Sequence, residues 1–505
     1  MNITYAELYL SEGSESNHKF DLRRTYPCPK KGEHYIGQRW GSDLLVCSGQ
    51  GCDTFRNKFN HHVFRYVIIE GAVNRPELPD VKAHRFSGLA TSGSSFHCSD
   101  PDMNRIHDMI AYTMDNLVFS GYMVDCAGIE RLGYGGDGNA SALTLQTMYD
   151  SDPIFVNWLQ AWNDVIGEDG HLTHTAPSPI KAGGGPYWCS FIVQAPWRVY
   201  MSYADPRLIE RCYDNMLKWI GYVDKYTVDG LLRKWPDDNH RWWYLGDWYA
   251  PRGTDVTLEE SVNLVSNCAI SQCYEDLIKI ALILGKDEDS KMFKKRKSEL
   301  DALIHKTFYH PEEGIYGTGS QLDMVYPMLV GAVPAELVGK VESKLFERTR
   351  SIYDGHLSAG LVGVPGIAEW AARAKHTDFI YGLLKQRSYP GYLYMIDNGA
   401  TAIWENWDNP RSQLHNCFNG IGSWFYQAIG GIVQDAPGYR HVTIAPQCPA
   451  GMDWARVSQE TPFGTICVAW ERKESGIFLQ VEIPYGMSAC IAGREVGPGT
   501  FEITL

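Results

Sequence analysis

The sequence contains no window approaching 18 consecutive apolar residues, and its start, Met1-Asn2-Ile3-Thr4-Tyr5, carries no basic patch followed by an apolar run. A membrane span and a visible secretion signal are both missing, so a cytoplasmic or periplasmic location is expected, without a membrane partner. Basic charge is scarce too. Lys and Arg number 46 against 60 Asp and Glu, a formal net charge of −14. That balance leaves no footprint for polyanions, which excludes nucleic acid as a default partner. The 13 cysteines are an odd count in a chain of 505 residues. A chain this long buries a core without covalent staples, so buried free thiols are expected rather than a disulfide framework. Cys47 and Cys52 are followed by no second Cys or His pair at zinc-finger spacing, and no metal is expected. A serine nucleophile elbow and a Walker loop are also lacking. Gly133-Tyr134-Gly135-Gly136 has no βαβ context for a dinucleotide, and no cofactor is expected.

What is present is a globular composition, 44% hydrophobic and 21% charged, with a notable 12% of aromatic residues. The length exceeds what one core supports, and two or three domains are expected. The first hundred residues read as strands, clearest at Val63 to Gly71, and suggest a β-sandwich. From Asp100 the period changes. Met103, Ile106, Met109, Ile110, Thr113 and Leu117 fall three or four apart, as one helical face requires, behind a Ser99-Asp100-Pro101 start with a cap and an early proline. Similar stripes run from Ile270 to Leu284 and from Ile421 to Ile432. Strand signals return after Ala436-Pro437-Gly438, at Val442 to Ile444, Ile466 to Trp470, Ile477 to Val481 and Phe501 to Leu505. The helical stretch has room for about a dozen helices of average length. Six hairpins closed in a ring would use it, as would another helical array.

Three Gly-rich or Trp-rich segments with embedded carboxylates stand out in the helical region, and such segments concentrate function. The first, Asp125 to Asp137, holds three carboxylates and Arg131. Unpaired carboxylates are costly to bury, so a cleft holding several must share protons or offer them to a ligand. The second is Trp242-Trp243-Tyr244-Leu245-Gly246-Asp247-Trp248. The third, Thr401 to Asp408, contains Trp404, Glu405 and Trp407 and is followed by His415. Indole faces beside carboxylates suit a sugar, whose C–H face stacks on a ring while its hydroxyls bond to oxygen. Each feature has a plainer reading, as an ordinary ion pair or a core aromatic. Recurrence of carboxylate beside Trp at three remote places favours carbohydrate as the partner.

At these residues the sequence resembles the bacterial α-L-rhamnosidases of glycoside hydrolase family 78. The resemblance is carried by Asp125-Cys126, Glu130-Arg131-Leu132-Gly133, Gly136-Asp137, Gly246-Asp247-Trp248, Ala402-Ile403-Trp404-Glu405 with Trp407-Asp408, Leu414-His415-Asn416, Thr461-Pro462-Phe463-Gly464 and Phe64-Arg65-Tyr66. It implies a multidomain, mainly α architecture: an (α/α)6 barrel over residues 99–434, flanked by β-sandwich domains at 1–98 and 435–505. It implies an inverting hydrolase releasing terminal α-L-rhamnose or a closely related sugar, with Glu130 as general acid and Glu405 as general base. Asp125, Arg131, Tyr134, Asp137, Trp188, Trp243, Asp247, Trp404, Trp407 and His415 would then bind the sugar, and a homodimer is compatible with this reading. The chain departs from the family pattern at Ala127, Gly128, Tyr134, Ser190 and Asn406, which bears on the identity of the sugar. Two other classes stay open: a glycan-binding relative without turnover, and a polysaccharide lyase or other (α/α)6 glycosidase recruiting Tyr134, Arg131 and His415.

Overall fold

The computed structural model describes residues 1–6, 42–90, 93–180, 182–235, 244–252, 258–408 and 412–505. It is mainly helical, with sheets before and after the helices. Near the start, strands Asn2–Ala6, Ser42–Leu44 and Tyr66–Glu70 form a small antiparallel sheet with the first strand in the middle. Among the described residues this is the only sheet formed within 1–94. Strand Ser95–Cys98, counted with the N-terminal region from sequence, pairs instead with Trp454–Thr461. Its alternation explains the attachment, since Phe96 and Cys98 are buried and Ser95 and His97 are exposed.

Helix Pro101–Leu117 begins as its sequence predicts. Asp100 accepts a hydrogen bond from the Asp102 N–H at 2.9 Å, and Pro101 occupies the first turn, where no N–H is needed. Six later elements form a closed ring: Gly135–Met148, Phe191–Tyr203, Glu259–Ile283, Gln321–Val330, Gly363–Ala374 and the turns from Asn419 to Ile429. Each packs on the next, and the last packs on the first. Helices Asp152–Val165, Arg207–Lys225, Asp287–Phe308, Ala335–Ser351 and Thr377–Leu384 lie against these as outer partners. Sequence pattern separates the two layers. Arg207–Lys225 buries one stripe, including Leu208, Cys212, Met216, Trp219 and Val223, whereas Gly135–Met148 is buried on all sides.

The apolar stripe expected to continue to Ile432 stops early. Its last helical turn, Phe425–Ile429, widens into a π-helix, and Ile432 opens the strand Ile432–Gln434. Gly431 makes the break, with φ +63° and no room for a side chain: a Cβ there would sit 2.1 Å from the Pro446 nitrogen. Periodicity reports burial, and Ile432 is buried in a sheet. The C-terminal strands form a five-stranded sheet that includes Ser95–Cys98 and a four-stranded sheet. No helix among the described residues is long and apolar enough to cross a membrane.

Candidate active site

The segments that carry the carboxylates lead into the inner helices, and hydrogen bonds join them around the ring. The Gly135 N–H donates to the His174 carbonyl and the Ala176 N–H to that of Gly133, both at 3.0 Å. His174 Nδ1 lies 2.8 Å from the Ala182 carbonyl. The Leu245 N–H donates to Gly184 at 2.8 Å and the Leu361 N–H to Trp248 at 2.9 Å. Trp407 Nε1 then donates to the Ala359 carbonyl at 2.9 Å. The third segment folds back on itself, with the Glu405 N–H on Ser412 at 3.0 Å and the His415 N–H on Ile403 at 2.9 Å. Its return strand docks on the first segment, where the Asn416 N–H donates to Asp125 at 2.8 Å and Cys126 bridges to His415. This pairing brings residues nearly 300 positions apart in sequence into contact.

Around that junction lie Asp125, Glu130, Asp137, Glu405 and His415; all but the half-buried Glu130 are nearly inaccessible. Asp125 Oδ1 accepts from the Leu132 N–H at 2.9 Å, which closes the loop that carries Glu130. Burial, with the charges of Glu130 and then Asp137, holds the Asp125 carboxyl well above the usual carboxylate range. Burial pushes Asp137 up to about 8, against its own backbone N–H and with Glu130. Two of these groups therefore favour the protonated form, able to donate as well as accept hydrogen bonds. Tyr134 Oη donates to Glu130 Oε2 at 3.0 Å. Cys126 and Tyr249 each feel the charges of both Glu130 and Glu405, and burial with these charges pushes the Tyr249 phenol up to about 12.

The other expected residues divide. Trp404 is buried, and its indole N–H has no hydrogen-bond partner among the described residues. Trp188 lies under the first segment, so close that a Cβ on Gly136 would meet its indole at 2.3 Å and one on Gly135 its carbonyl at 2.1 Å. These glycines are there for that approach. Trp407, expected on the sugar, is core: it is 1% exposed and stacks on Phe418 at 4.1 Å. Asp247, also expected on the sugar, is taken up by backbone. Its Oδ1 accepts from Val362 and Gly363 at 3.0 and 2.7 Å and its Oδ2 from Gly360 at 2.8 Å, at the start of helix Gly363–Ala374. Arg131 reaches away toward the N-terminal region, donating to Asn60 Oδ1 at 3.2 Å and to the His61 carbonyl at 2.9 Å. Burial lowers its guanidinium to about 10. Trp243 lies outside the described residues.

Sequence reasoning missed Tyr249, whose ring lies tilted against Trp248 with centroids 4.2 Å apart and which hydrogen-bonds with Asn406, while Trp248 packs on the His415 ring. Its only signal was position, directly after Gly246-Asp247-Trp248. Cys417 was missed as well; its Sγ lies 3.0 Å from His415 Nδ1. The described cysteines are free, with Cys47 and Cys52 exposed.

Comparison with known proteins identifies the family. Residues 91–429 match the family described as bacterial alpha-L-rhamnosidase 6 hairpin glycosidase domain, residues 431–492 the C-terminal domain and residues 31–89 the concanavalin-like domain of the same proteins. An alpha-L-rhamnosidase of Streptomyces avermitilis is 28% identical over 89% of this chain and 43% of its own length. One from Alteromonas is 27% identical over 91% of this chain and 51% of its own length. The chain thus spans about half the length of these curated relatives. Among solved structures, an alpha-L-rhamnosidase from Dictyoglumus thermophilum superposes with a TM-score of 0.89 at 23% identity, covering 99% of this chain and 58% of that one. The Streptomyces avermitilis enzyme complexed with L-rhamnose gives 0.85 at 23% identity, covering 100% and 48%. On the match over residues 91–429, the chain belongs to the bacterial α-L-rhamnosidase family.

Proposed function

We propose that this chain is an inverting glycoside hydrolase that releases terminal α-L-rhamnose, or a closely related sugar, from a glycan or glycoside. The supporting observation is the convergence of Glu130 and Glu405, 275 positions apart, on one pair of groups: both carboxylates act on Cys126 and on Tyr249. In this reading the ring of six inner elements with its outer helices is the (α/α)6 barrel expected over residues 99–434, between β-sandwich units expected at 1–98 and 435–505, except that Ser95–Cys98 and Ile432–Gln434 belong to the C-terminal sheets. The relatives' printed activity, and the L-rhamnose in one of them, support the sugar.

An inverting hydrolase needs a protonated carboxyl beside the leaving oxygen and an ionised carboxylate on the opposite face of the ring to activate water. Glu130 takes the first role. Tyr134 Oη fixes the orientation of its carboxyl, and half-burial leaves it open toward the aglycone. Glu405, on the hairpin that returns to Asp125, takes the second role and directs water at the anomeric carbon. The sugar hydroxyls are held by Asp125, Asp137 and His415, with the Trp404 indole N–H offering a further donor. Discrimination is strong where a site is built to bond a hydroxyl, because the wrong sugar leaves buried polar groups unpaired. The lyase reading requires a cation for a uronate, and the engagement of Arg131 with Asn60 and His61 argues against it.

The test is a panel of nitrophenyl glycosides, α-L-rhamnoside beside other deoxy sugars and uronides, followed by proton NMR of the first-formed sugar. Turnover of the rhamnoside with inverted configuration is expected, and it requires the two carboxyls to lie about 6.5 to 9.5 Å apart. Retained configuration would remove Glu405 from the role of base. Binding without turnover would make the chain a lectin-like relative.

A further inference from the structure

Between two of the proposed sugar ligands lies a thiol that sugar chemistry does not require. Asp125, Cys126 and His415 each contribute one possible ligand atom, an oxygen, a sulfur and an imidazole nitrogen, all within 4.8 Å of one another, and all three residues are buried. Two neighbours reinforce the cluster. Cys417 Sγ stands 3.0 Å from His415 Nδ1. Asp137 Oδ1 stands 3.9 Å from the same nitrogen and is buried with no hydrogen-bond partner among the described residues.

We propose that Asp125, Cys126 and His415 form a binding site for a borderline-soft divalent cation of the zinc type, which excludes the sugar from the pocket and so acts as a reversible inhibitor. This rests on the reading of Asp125 and His415 as sugar ligands. Thiolate and imidazole select zinc-like ions over magnesium or calcium, which take oxygen ligands. A tetrahedral zinc with bonds of about 2.0 to 2.3 Å places its ligands about 3.5 Å apart. Cys126 Sγ and Asp125 Oδ2 already stand 3.5 Å apart, and the widest pair has at most about 1.3 Å to close, within the reach of side-chain rotation. As the metal bonds form, the Cys126 thiol and the Asp125 carboxyl release their protons to solvent, and no electron is transferred. Three protein ligands leave a fourth tetrahedral position for water or a further ligand. A metal there occupies the Asp125 and His415 atoms that would otherwise meet sugar hydroxyls.

The experiment titrates the chain with cobalt(II), whose thiolate complexes have a charge-transfer absorption, and then displaces it with zinc. Exposed Cys47 and Cys52 are first replaced, Cys47→Ser with Cys52→Ser, to remove the obvious competing thiols. One equivalent is expected to bind, with a thiolate band that disappears in Cys126→Ser and an apparent Kd that rises as L-rhamnose is added. A band that survives Cys126→Ser, or that L-rhamnose leaves unchanged, would overturn the proposal. If Cys126→Ser fails to fold by circular dichroism, X-ray absorption of the zinc-loaded parent decides: a first shell containing sulfur is expected, and a shell of oxygen and nitrogen alone refutes the site. The cobalt spectrum needs no turnover. A chain inactive on rhamnosides that still shows the Cys126 band would leave the metal site standing and remove only the proposed activity.

Discussion

Asp247 offers a decision between a sugar ligand and a structural anchor. Both oxygens are engaged by the backbone N–H groups of Gly360, Val362 and Gly363 in a site that is 1% exposed. Asp247→Asn keeps one carbonyl oxygen, which suits the Val362 and Gly363 donors, and turns an NH2 group against the Gly360 N–H. Leaving one buried donor unsatisfied costs about 1 to 3 kcal/mol. Asp247→Ala strands all three, so its loss should be about two to three times larger before water enters the space. Chemical denaturation of the two variants beside the parent measures both numbers. The expected result is a graded loss of stability, Ala greater than Asn, with KM changed less than about threefold in whatever remains folded. pH supplies a second reading. Burial pushes the Asp247 carboxyl up to about 7 despite its three donors. A carboxyl raised above its unfolded value favours the fold in its protonated form, so its contribution to stability falls as pH rises from the ordinary carboxylate range through about 7. That slope should vanish in Asp247→Asn. Stability within about 0.5 kcal/mol of the parent, together with a tenfold rise in KM, would refute the anchor and return Asp247 to the sugar.

Three further outcomes are expected. Glu130→Gln should abolish turnover of glycosides with poor leaving groups and spare activated aryl glycosides, since these need less protonation; equal loss on both speaks against Glu130 as acid. Arg131→Ala should loosen residues 42–90, seen as faster limited proteolysis there, with KM within about threefold of the parent; a raised KM with unchanged proteolysis would put its guanidinium on the sugar. Gly360→Ala should displace the loop of Trp248 and Tyr249, because its Cβ would meet the Trp248 carbonyl at 2.1 Å and the Ala250 nitrogen at 2.7 Å. A loss of about tenfold or more in kcat/KM is expected, and steady-state kinetics near parental values would refute the close fit.

The β, α, β order was legible because side-chain period changes near Asp100 and again after Ala436, and period follows from backbone geometry alone. The start of helix Pro101–Leu117 was legible for the same local reason, its cap lying in Asp100-Pro101. Local pattern was silent on partners. Ser95–Cys98 reads as a strand wherever it pairs, and its partner lies some 360 residues on. Likewise, nothing in Gly246-Asp247-Trp248 tells whether the carboxylate meets a hydroxyl or three peptide N–H groups; only the approach of residues 360–363 decides it. Trp407 and Trp404 stand three apart in one segment, yet one stacks on Phe418 and the other buries an indole N–H without a partner among the described residues. Aromatic content pointed to sugar, and packing determined which rings are available to it.

Inner helix Gly135–Met148 starts where the Asp125–Asp137 segment ends and carries Asp137 in its first turn. Aligned peptide dipoles give a helix the equivalent of about half a positive charge at its first turn. That helix start therefore sets a positive field beside Asp137, supplied by the main chain and fixed in place. This field opposes the repulsion that Glu130 exerts on Asp137, while the Arg131 guanidinium donates to Asn60 and His61. A counter-charge built from backbone cannot be removed by substituting any one side chain, and in a buried pocket it is screened little by salt. The backbone thus offsets part of the cost of burying Asp137 beside Glu130.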